Sequence, residues 1–217
     1  MAEGELFPYF DETVEFRASL SQETDRGCAL MAAAYLSDQL ARLFRSTFVD
    51  DENVVNELLK DLGSLGSFST RIELAYAFGL LPANARRDLN LIRKIRNDFG
   101  HVARALTFEE PAIASRCREL TLTILEPEAK PRARFTNAVL GLCAVLHVGI
   151  YKSSRRKAPR DVNLSPKDLE QMKELIRILS ELALGVTSQA EVTDLIEELQ
   201  ARLQEASQRA DASDETK

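Results

Sequence analysis

Residues that could carry acid–base or phosphate chemistry concentrate in one basic, amide-rich segment, residues 85–101. At 100° per residue, the apolar side chains of this segment share one arc of a helix and the polar ones share the opposite arc. Asn97 and His101 lie four residues apart, so they are neighbours on the helix surface and Asn97 could orient the imidazole. Such an imidazole can act as an acid, as a base or as a hydrogen-bond donor to phosphate. His101 could equally be a helix-end histidine that carbonyl oxygens satisfy.

Arg96 is the exception in this pattern, because helical geometry places it at the border of the apolar arc, beside Ile92. Burying an unpaired guanidinium is costly, so Arg96 needs either a carboxylate partner or a snorkelling conformation. Glu73 is the first partner to consider, and Gly100 could loosen the helix enough for Arg96 and His101 to approach. The segment therefore predicts either a buried polar network or the wall of a groove. The members of this set are Glu73, Arg93, Arg96, Asn97 and His101.

Motifs of the common enzyme and DNA-reading classes are missing from the sequence. It contains no GxxxxGK[ST], no GxGxxG after a strand, no HExxH, no GxSxG and no convincing helix-turn-helix. With two His and no CxxC pair, neither a metal site nor a cofactor is predicted. We expect Cys28, Cys117 and Cys143 to be buried, reduced thiols, and His147 to be a core or interface histidine.

Composition and charge narrow the class of protein further. The 217 residues are 45% hydrophobic and 29% charged with a net charge of −6, which is typical of a globular domain and not of a general polyanion binder. The N-terminus has no signal-peptide pattern, and the apolar run 138–151 is shorter than the roughly 20 residues that span a bilayer. We therefore expect a cytoplasmic protein without a membrane contact.

The elements that must position the polar segment are all predicted to be helices. Apolar residues recur at helical spacing, and alternating β-branched runs are missing. Gly79 suits a helix C-terminus, and Thr107-x-x-Glu110 has the form of a capping box opening a helix that runs to about residue 125. The fourth predicted helix begins at Ser67 or Ser69 and ends near Gly79. The others cover residues 7–20, 22–47, 53–60, 82–103, 107–125, 132–151, 166–184 and 189–208.

Charge and turn residues divide the chain into four predicted parts. These are a helical core (1–151), a basic linker (152–160), a C-terminal helical hairpin (161–208) and a disordered acidic tail (209–217). The linker could contact phosphates or be a solvated connector. The apolar stripes of the hairpin could fold back onto the core or form a dimer contact. The basic residues of the linker are Lys152, Arg155, Arg156, Lys157 and Arg160.

Three blocks of sequence resemble the mannitol operon repressor family. They are residues 24–27 (TDRG), 71–81 (RIELAYAFGLL) and 92–101 (IRKIRNDFGH), and the resemblance covers roughly residues 20–150. It implies an all-helical, cytoplasmic bacterial protein that negatively regulates transcription of sugar-alcohol uptake genes. Because the family carries no recognisable DNA-reading module, repression through a protein partner is at least as well supported as direct operator binding.

A second resemblance overlaps the first at Arg96-Asn97-x-x-x-His101, which is similar to the Arg–polar–His motif of HEPN domains. In active members of that class the motif cleaves RNA without a metal. The resemblance implies that Arg96 would stabilise the phosphorane, His101 would move the proton, and Asn97 would position one of them. Many HEPN domains are non-catalytic binding modules, so the motif alone does not establish an activity.

The sequence thus predicts an all-α, dimeric, non-enzymatic regulator that binds a protein partner and needs no cofactor or metal. The alternative is a HEPN-like, metal-independent endoribonuclease or RNA-binding module that uses Arg96, Asn97 and His101. Direct operator binding is a third reading, and the local basic charge supports nucleic-acid contact only weakly.

Overall fold

The computed structural model of the chain describes residues 7–101, 106–159 and 165–183, together with residues 193, 194, 197 and 201. Eight helices are defined within them, and the single β-bridge there, between Val49 and Arg156, belongs to no strand. The predicted all-α fold is confirmed. The helices are α1 (Phe7–Gln22), α2 (Asp25–Arg45), α3 (Glu52–Leu59), α4 (Phe68–Ala77), α5 (Ala83–His101), α6 (Pro111–Glu119), α7 (Pro131–Lys152) and α8 (Pro166–Ala183).

Short polar side chains fix where several of these helices begin. The Thr24 hydroxyl accepts the Gly27 N–H at 3.0 Å, Asp51 caps α3, and the Ser67 hydroxyl accepts the Thr70 N–H at 3.0 Å. Each bond satisfies a backbone donor that has no partner inside its helix. At the other end of α4, Gly79 adopts a φ of 70°, the left-handed conformation that was predicted to end this helix.

The predicted capping box at Thr107 is wrong. Thr107 and Glu110 form a turn in which the Glu110 N–H bonds the Thr107 carbonyl at 3.3 Å, and α6 begins only at Pro111. Proline suits the first helical position because it lacks the N–H that would be unpaired there. The helix also ends at Glu119 rather than near residue 125, since the carboxylate of Asp88 accepts the N–H groups of the two residues after Leu120.

The core of the bundle forms where α2 contacts α1, α4, α5 and α7. Phe99, Phe108 and Phe135 are buried within it, and their rings pack in series with centroids 5.1 and 4.9 Å apart. The three cysteines are buried and free, as predicted. Burial raises the pKa of Cys28 to about 11 and the pKa values of Cys117 and Cys143 to about 12.

Three buried charged side chains connect the helices to the loops between them. Arg71 donates to the carbonyls of Leu59 and Leu65 at 2.7 Å each, and Arg134 donates to the carbonyl of Leu120 at 2.7 Å. Asp88, which is fully buried on α5, accepts from the segment after α6. Backbone groups that would otherwise lack partners are thereby satisfied, and α5 is held in place.

The first residues of the predicted linker are mostly exposed but contact the helical core. Arg155 forms ion pairs with Asp50 and Glu52, and the N–H of Arg156 bonds the Phe48 carbonyl at 3.1 Å. These residues therefore lie against the connection between α2 and α3 rather than crossing solvent. The guanidinium of Arg155 is therefore paired with two carboxylates of the same chain.

The chain divides into two compact units, Met1–Ala158 and Pro159–Lys217. The second unit contains α8, which begins at Pro166 as predicted and carries an exposed apolar stripe. The second hairpin helix lies almost wholly outside the described residues and the acidic tail lies entirely outside them, so the four-part division stays a prediction. The stripe consists of Leu169, Met172, Ile176 and Leu179.

Within the described residues, α7 is the one helix that passes a test for spanning a membrane by length and composition. The helix has 22 residues, and the apolar run 138–151 underestimated its length because that run covers only part of it. The helix contributes Phe135, Val139, Leu142 and Leu146 to the core. A core helix passes the same test, so this composition is weak evidence for a membrane span.

Candidate functional site

The two faces of α5 separate as the helical pattern predicts. Leu89, Ile92, Ile95 and Phe99 are fully buried against the rest of the bundle. Asn90, Arg93 and Asn97 lie half-buried on the other side. The described members of the predicted polar set, Glu73, Arg93, Arg96 and Asn97, are therefore at least partly exposed, because the apolar arc occupies the core.

Glu73, on α4, pairs with Arg86 and Asn90 rather than with Arg96. One carboxylate oxygen accepts from the Arg86 Nε at 2.8 Å, and the other accepts from the Asn90 Nδ2 at 2.9 Å. The hydrogen bond from Arg86 is the largest influence on this carboxylate, and together with that from Asn90 it lowers the pKa of Glu73. Arg86 also lies over the ring of Tyr76, with its guanidinium carbon 4.7 Å from the ring centroid. The expected Glu73–Arg96 contact was wrong because Asn90 and Arg86, six and ten residues earlier on α5, occupy the carboxylate.

Arg96 is exposed, and its Nη1 donates to the Oδ1 of Asn97 at 3.1 Å. Its long side chain reaches solvent from the border of the apolar arc, which corresponds to the snorkelling alternative. Gly100 lies inside the continuous helix and does not loosen it. His101 is the last residue of α5, and its side chain lies outside the described residues. The geometry between Arg96 and His101 on which catalysis depends therefore stays a prediction.

Arg93, Arg96 and Asn97 line a groove of about 680 Å³, which we call the α2–α5 groove. Its floor and far wall come from α2 and from the start of α4. The predicted set thus divides between this groove and a cluster of Glu73, Arg86 and Asn90, which we call the Glu73 cluster. Arg93 connects the two, because its Nε donates to the Oδ1 of Asn90 at 3.2 Å. The other lining residues are Leu30, Ala33, Ala34, Ser37, Gly66, Ser67, Phe68 and Ser69.

The charge along α5 is unevenly compensated. Arg87 pairs with Glu119 at 3.7 Å, and Arg86 pairs with Glu73. Over the described ranges, by contrast, Arg93, Lys94 and Arg96 have no carboxylate within 4.0 Å. This stretch of the helix surface is therefore positive although the whole chain is acidic.

The exposure of two aromatic residues was not predicted from the sequence. Tyr76 and Phe78 lie at the end of α4 and are 40% and 63% exposed. In the sequence they belong to an apolar run, residues 74–81, that looks like core. The available signal was helical phase: Arg71, Ile72 and Ala75 form the buried face of α4, and the two aromatic residues fall outside it.

The remaining titratable groups do not assemble a metal centre in the part of the chain that the structure describes, where no group of three His, Cys, Asp or Glu residues could hold an ion. His147 lies buried on α7, and burial lowers its pKa, which the nearby carboxylate of Glu12 partly offsets.

Comparisons with known proteins agree with this fold. A family model described as "Mannitol repressor" matches residues 17–139, a range that contains α2–α6 and therefore both the Glu73 cluster and the α2–α5 groove. Among solved structures the chain is similar to one described as "X-ray structure of the MtlR-HPr complex from Escherichia coli". The two chains are 19% identical, the likeness covers 61% of this chain and 98% of that one, and the TM-score is 0.51. This likeness shows a shared fold. No curated protein matches the chain.

Proposed function

The chain belongs to the mannitol repressor family, and from that premise we propose that it is a cytoplasmic regulator of transcription that acts by binding a protein partner and not by catalysis. The similar Escherichia coli structure is described as a complex with HPr, so HPr is the first partner to test for this chain. The sequence carries no recognisable DNA-reading motif, which favours a protein partner over direct operator binding. Self-association through the stripe of α8 stays a prediction.

The observation that carries this proposal is an exposed surface formed by Tyr76, Phe78, Arg86 and Glu73, which we call the aromatic–arginine surface. Phe78 leaves 63% of its area in solvent, so it contributes little to the folded core. Aromatic residues and arginine are the types that dominate the binding energy of protein interfaces. Two exposed aromatic residues at the end of α4, one of them stacked with an arginine, are therefore better explained by a partner than by folding.

This surface is also preorganised. Arg86 is held by Glu73 at 2.8 Å and stacks on Tyr76, so both side chains are already fixed before any partner arrives. An ordered side chain loses less conformational entropy on binding. Next to Arg86, a smaller groove of about 290 Å³ runs along α5 past Asn90 to Lys94. Lys94, which has no carboxylate within 4.0 Å among the described residues, favours a partner with an acidic edge.

Calorimetric titration with HPr from the organism that carries the chain tests this proposal. Removing a central aromatic residue typically costs about 2 kcal/mol or more at an interface, so Phe78→Ala should weaken binding at least about thirtyfold. The matched control is Leu62→Ala, because Leu62 is an apolar side chain that is 98% exposed outside this surface. Equal affinities for the wild type and Phe78→Ala would contradict the docking surface, and no binding of HPr at all would contradict the partner.

A second candidate function, metal-independent cleavage of RNA, is supported by the contact between Arg96 and Asn97 at the edge of the α2–α5 groove. A HEPN-like ribonuclease would use these two residues with His101 and would need no metal. Labelled mixed RNA, incubated with the purified chain in EDTA, should then be cleaved, and His101→Ala should abolish the cleavage. RNA that stays intact in the presence of the folded wild type would exclude the ribonuclease hypothesis.

A further inference from the structure

We propose that the α2–α5 groove binds the phosphate monoester of a small molecule, with Arg93 and Arg96 as the residues that hold the phosphate. This goes beyond the proposed function, because it assigns the chain a small anionic ligand at a place separate from the aromatic–arginine surface. Neither Arg93 nor Arg96 belongs to that surface, and neither Tyr76 nor Phe78 lines the groove.

The first argument is charge. Arg93 and Arg96 are three residues apart on α5, so their side chains are neighbours, and like charges at this spacing destabilise a helix. Their hydrogen bonds go to neutral amides, from Arg93 to Asn90 and from Arg96 to Asn97. Arg93 also interacts electrostatically with Glu73, but that carboxylate is already held by Arg86 and Asn90. Two arginines therefore line the groove without a carboxylate within 4.0 Å in the described part of the chain, and a bound phosphate would supply the neutralising charge.

The second argument is donor geometry. A guanidinium presents parallel N–H donors that match two oxygens of one phosphate, and Arg is preferred wherever such recognition is needed. The amide oxygens of Asn90 and Asn97 each take one N–H and leave other donors of the same arginine available. Ser69 also lines the groove, and its hydroxyl could add a neutral hydrogen bond to the same anion.

The third argument is size and lining. A volume of about 680 Å³ lies within the range of roughly 300–1,000 Å³ that is typical of small-molecule pockets. Leu30, Ala33, Ala34 and Phe68 give the groove an apolar part beside its cationic edge. This combination fits an organic phosphate, whose body contacts the apolar lining while its phosphate faces the two arginines. An extended polynucleotide fits less well, because the net charge of −6 opposes it outside this short stretch.

Calorimetric titration of the full chain with glycerol 3-phosphate tests the assignment, with inorganic phosphate, glycerol and a single-stranded RNA oligonucleotide as parallel probes. We expect glycerol 3-phosphate to bind more tightly than inorganic phosphate and glycerol to give no signal. Losing one charged hydrogen-bond partner weakens binding by about tenfold to a hundredfold, and we expect this loss in both Arg93→Gln and Arg96→Gln. Arg17→Gln is the matched control, because Arg17 is exposed on α1 and does not line the groove.

Three results would overturn the proposal. The first is the absence of any phosphate-dependent signal with the wild type, and the second is binding that both glutamine variants retain. The third is binding of RNA, or of inorganic phosphate, that is at least as tight as that of glycerol 3-phosphate. Because Arg96 is exposed, the melting temperature of Arg96→Gln should equal that of the wild type, which separates a binding defect from unfolding. HPr is not present in this titration, so its outcome is independent of the docking proposal.

Discussion

Replacing Asp88 by alanine should destabilise the chain more than any change of an exposed charge on the same helix. Asp88 is fully buried, and its carboxylate accepts the N–H groups of Thr121 and Leu122 at 2.8 and 2.7 Å. It also lies 3.2 Å from the Thr121 hydroxyl. Alanine would leave two backbone donors without a partner at the point where α5 meets the segment after α6.

The magnitude follows from those two short bonds. A hydrogen bond to a charged acceptor contributes about 1.5–3 kcal/mol, so we expect Asp88→Ala to lower the free energy of unfolding by about 3–5 kcal/mol. For a chain of this size that corresponds to a drop in Tm of about 6–20 °C. Asp88→Asn keeps one carbonyl acceptor and should lose about half as much.

Urea unfolding followed by circular dichroism measures this difference, with Arg96→Ala as the control on the same helix. Arg96 is exposed, and within the described residues its side chain bonds the neighbouring Asn97, so its removal should change stability by no more than about 0.5 kcal/mol. A loss below about 1 kcal/mol for Asp88→Ala, or equal losses for the two variants, would refute the reasoning that Asp88 anchors α5.

Three further predictions concern glycine, cysteine and histidine. Gly100→Ala should raise stability by about 0.5–1 kcal/mol in the same assay, because Gly100 lies inside α5 with open space at its Cβ position, whereas Gly79→Ala should lower it, because Gly79 has a φ of 70°. The native chain should react only slowly with a thiol reagent and the urea-unfolded chain rapidly, since Cys28, Cys117 and Cys143 are buried with raised pKa values; fast labelling of the native chain would contradict this. Burial lowers the pKa of His147 below its ordinary 6.5, so the folded chain binds fewer protons there than the unfolded chain, and stability should fall as the pH drops from about 6.5. The urea midpoint of His147→Gln should lose that step, and an unchanged step would exclude His147 as its source.

Helices were predictable because their signals are local. The apolar arc of α5 follows from sequence spacing alone, and the cap at Ser67 acts on a residue three positions away. The cap at Thr24 was not predicted, since the helix expected from residue 22 begins at Asp25. The helix predicted from Thr107 was wrong at both ends, because its start depends on a local residue, Pro111, and its end depends on a distant one. Pro111 begins the helix later, and Asp88, more than thirty residues distant, captures the backbone donors beyond its end.

The site was predictable in its residues but not in its pairings. Glu73 and Arg96 were both singled out, yet which arginine reaches the carboxylate depends on how α4 crosses α5, and Arg86 and Asn90 are the residues that face it. Phe78 was missed because an exposed aromatic residue and a buried one look alike in an apolar run. Its exposure depends on the left-handed turn at Gly79 and on which face of α4 meets α2 and α5.

Hydrogen exchange of the chain with and without HPr is the most direct test of partner binding at the aromatic–arginine surface, because it locates the contact on the chain itself. If HPr binds the aromatic–arginine surface, it should slow exchange at the end of α4 and the start of α5, residues 74–90. Phe78→Ala should then remove this protection. Protection confined to other helices, or no change in exchange anywhere on the chain, would contradict a partner bound at the aromatic–arginine surface.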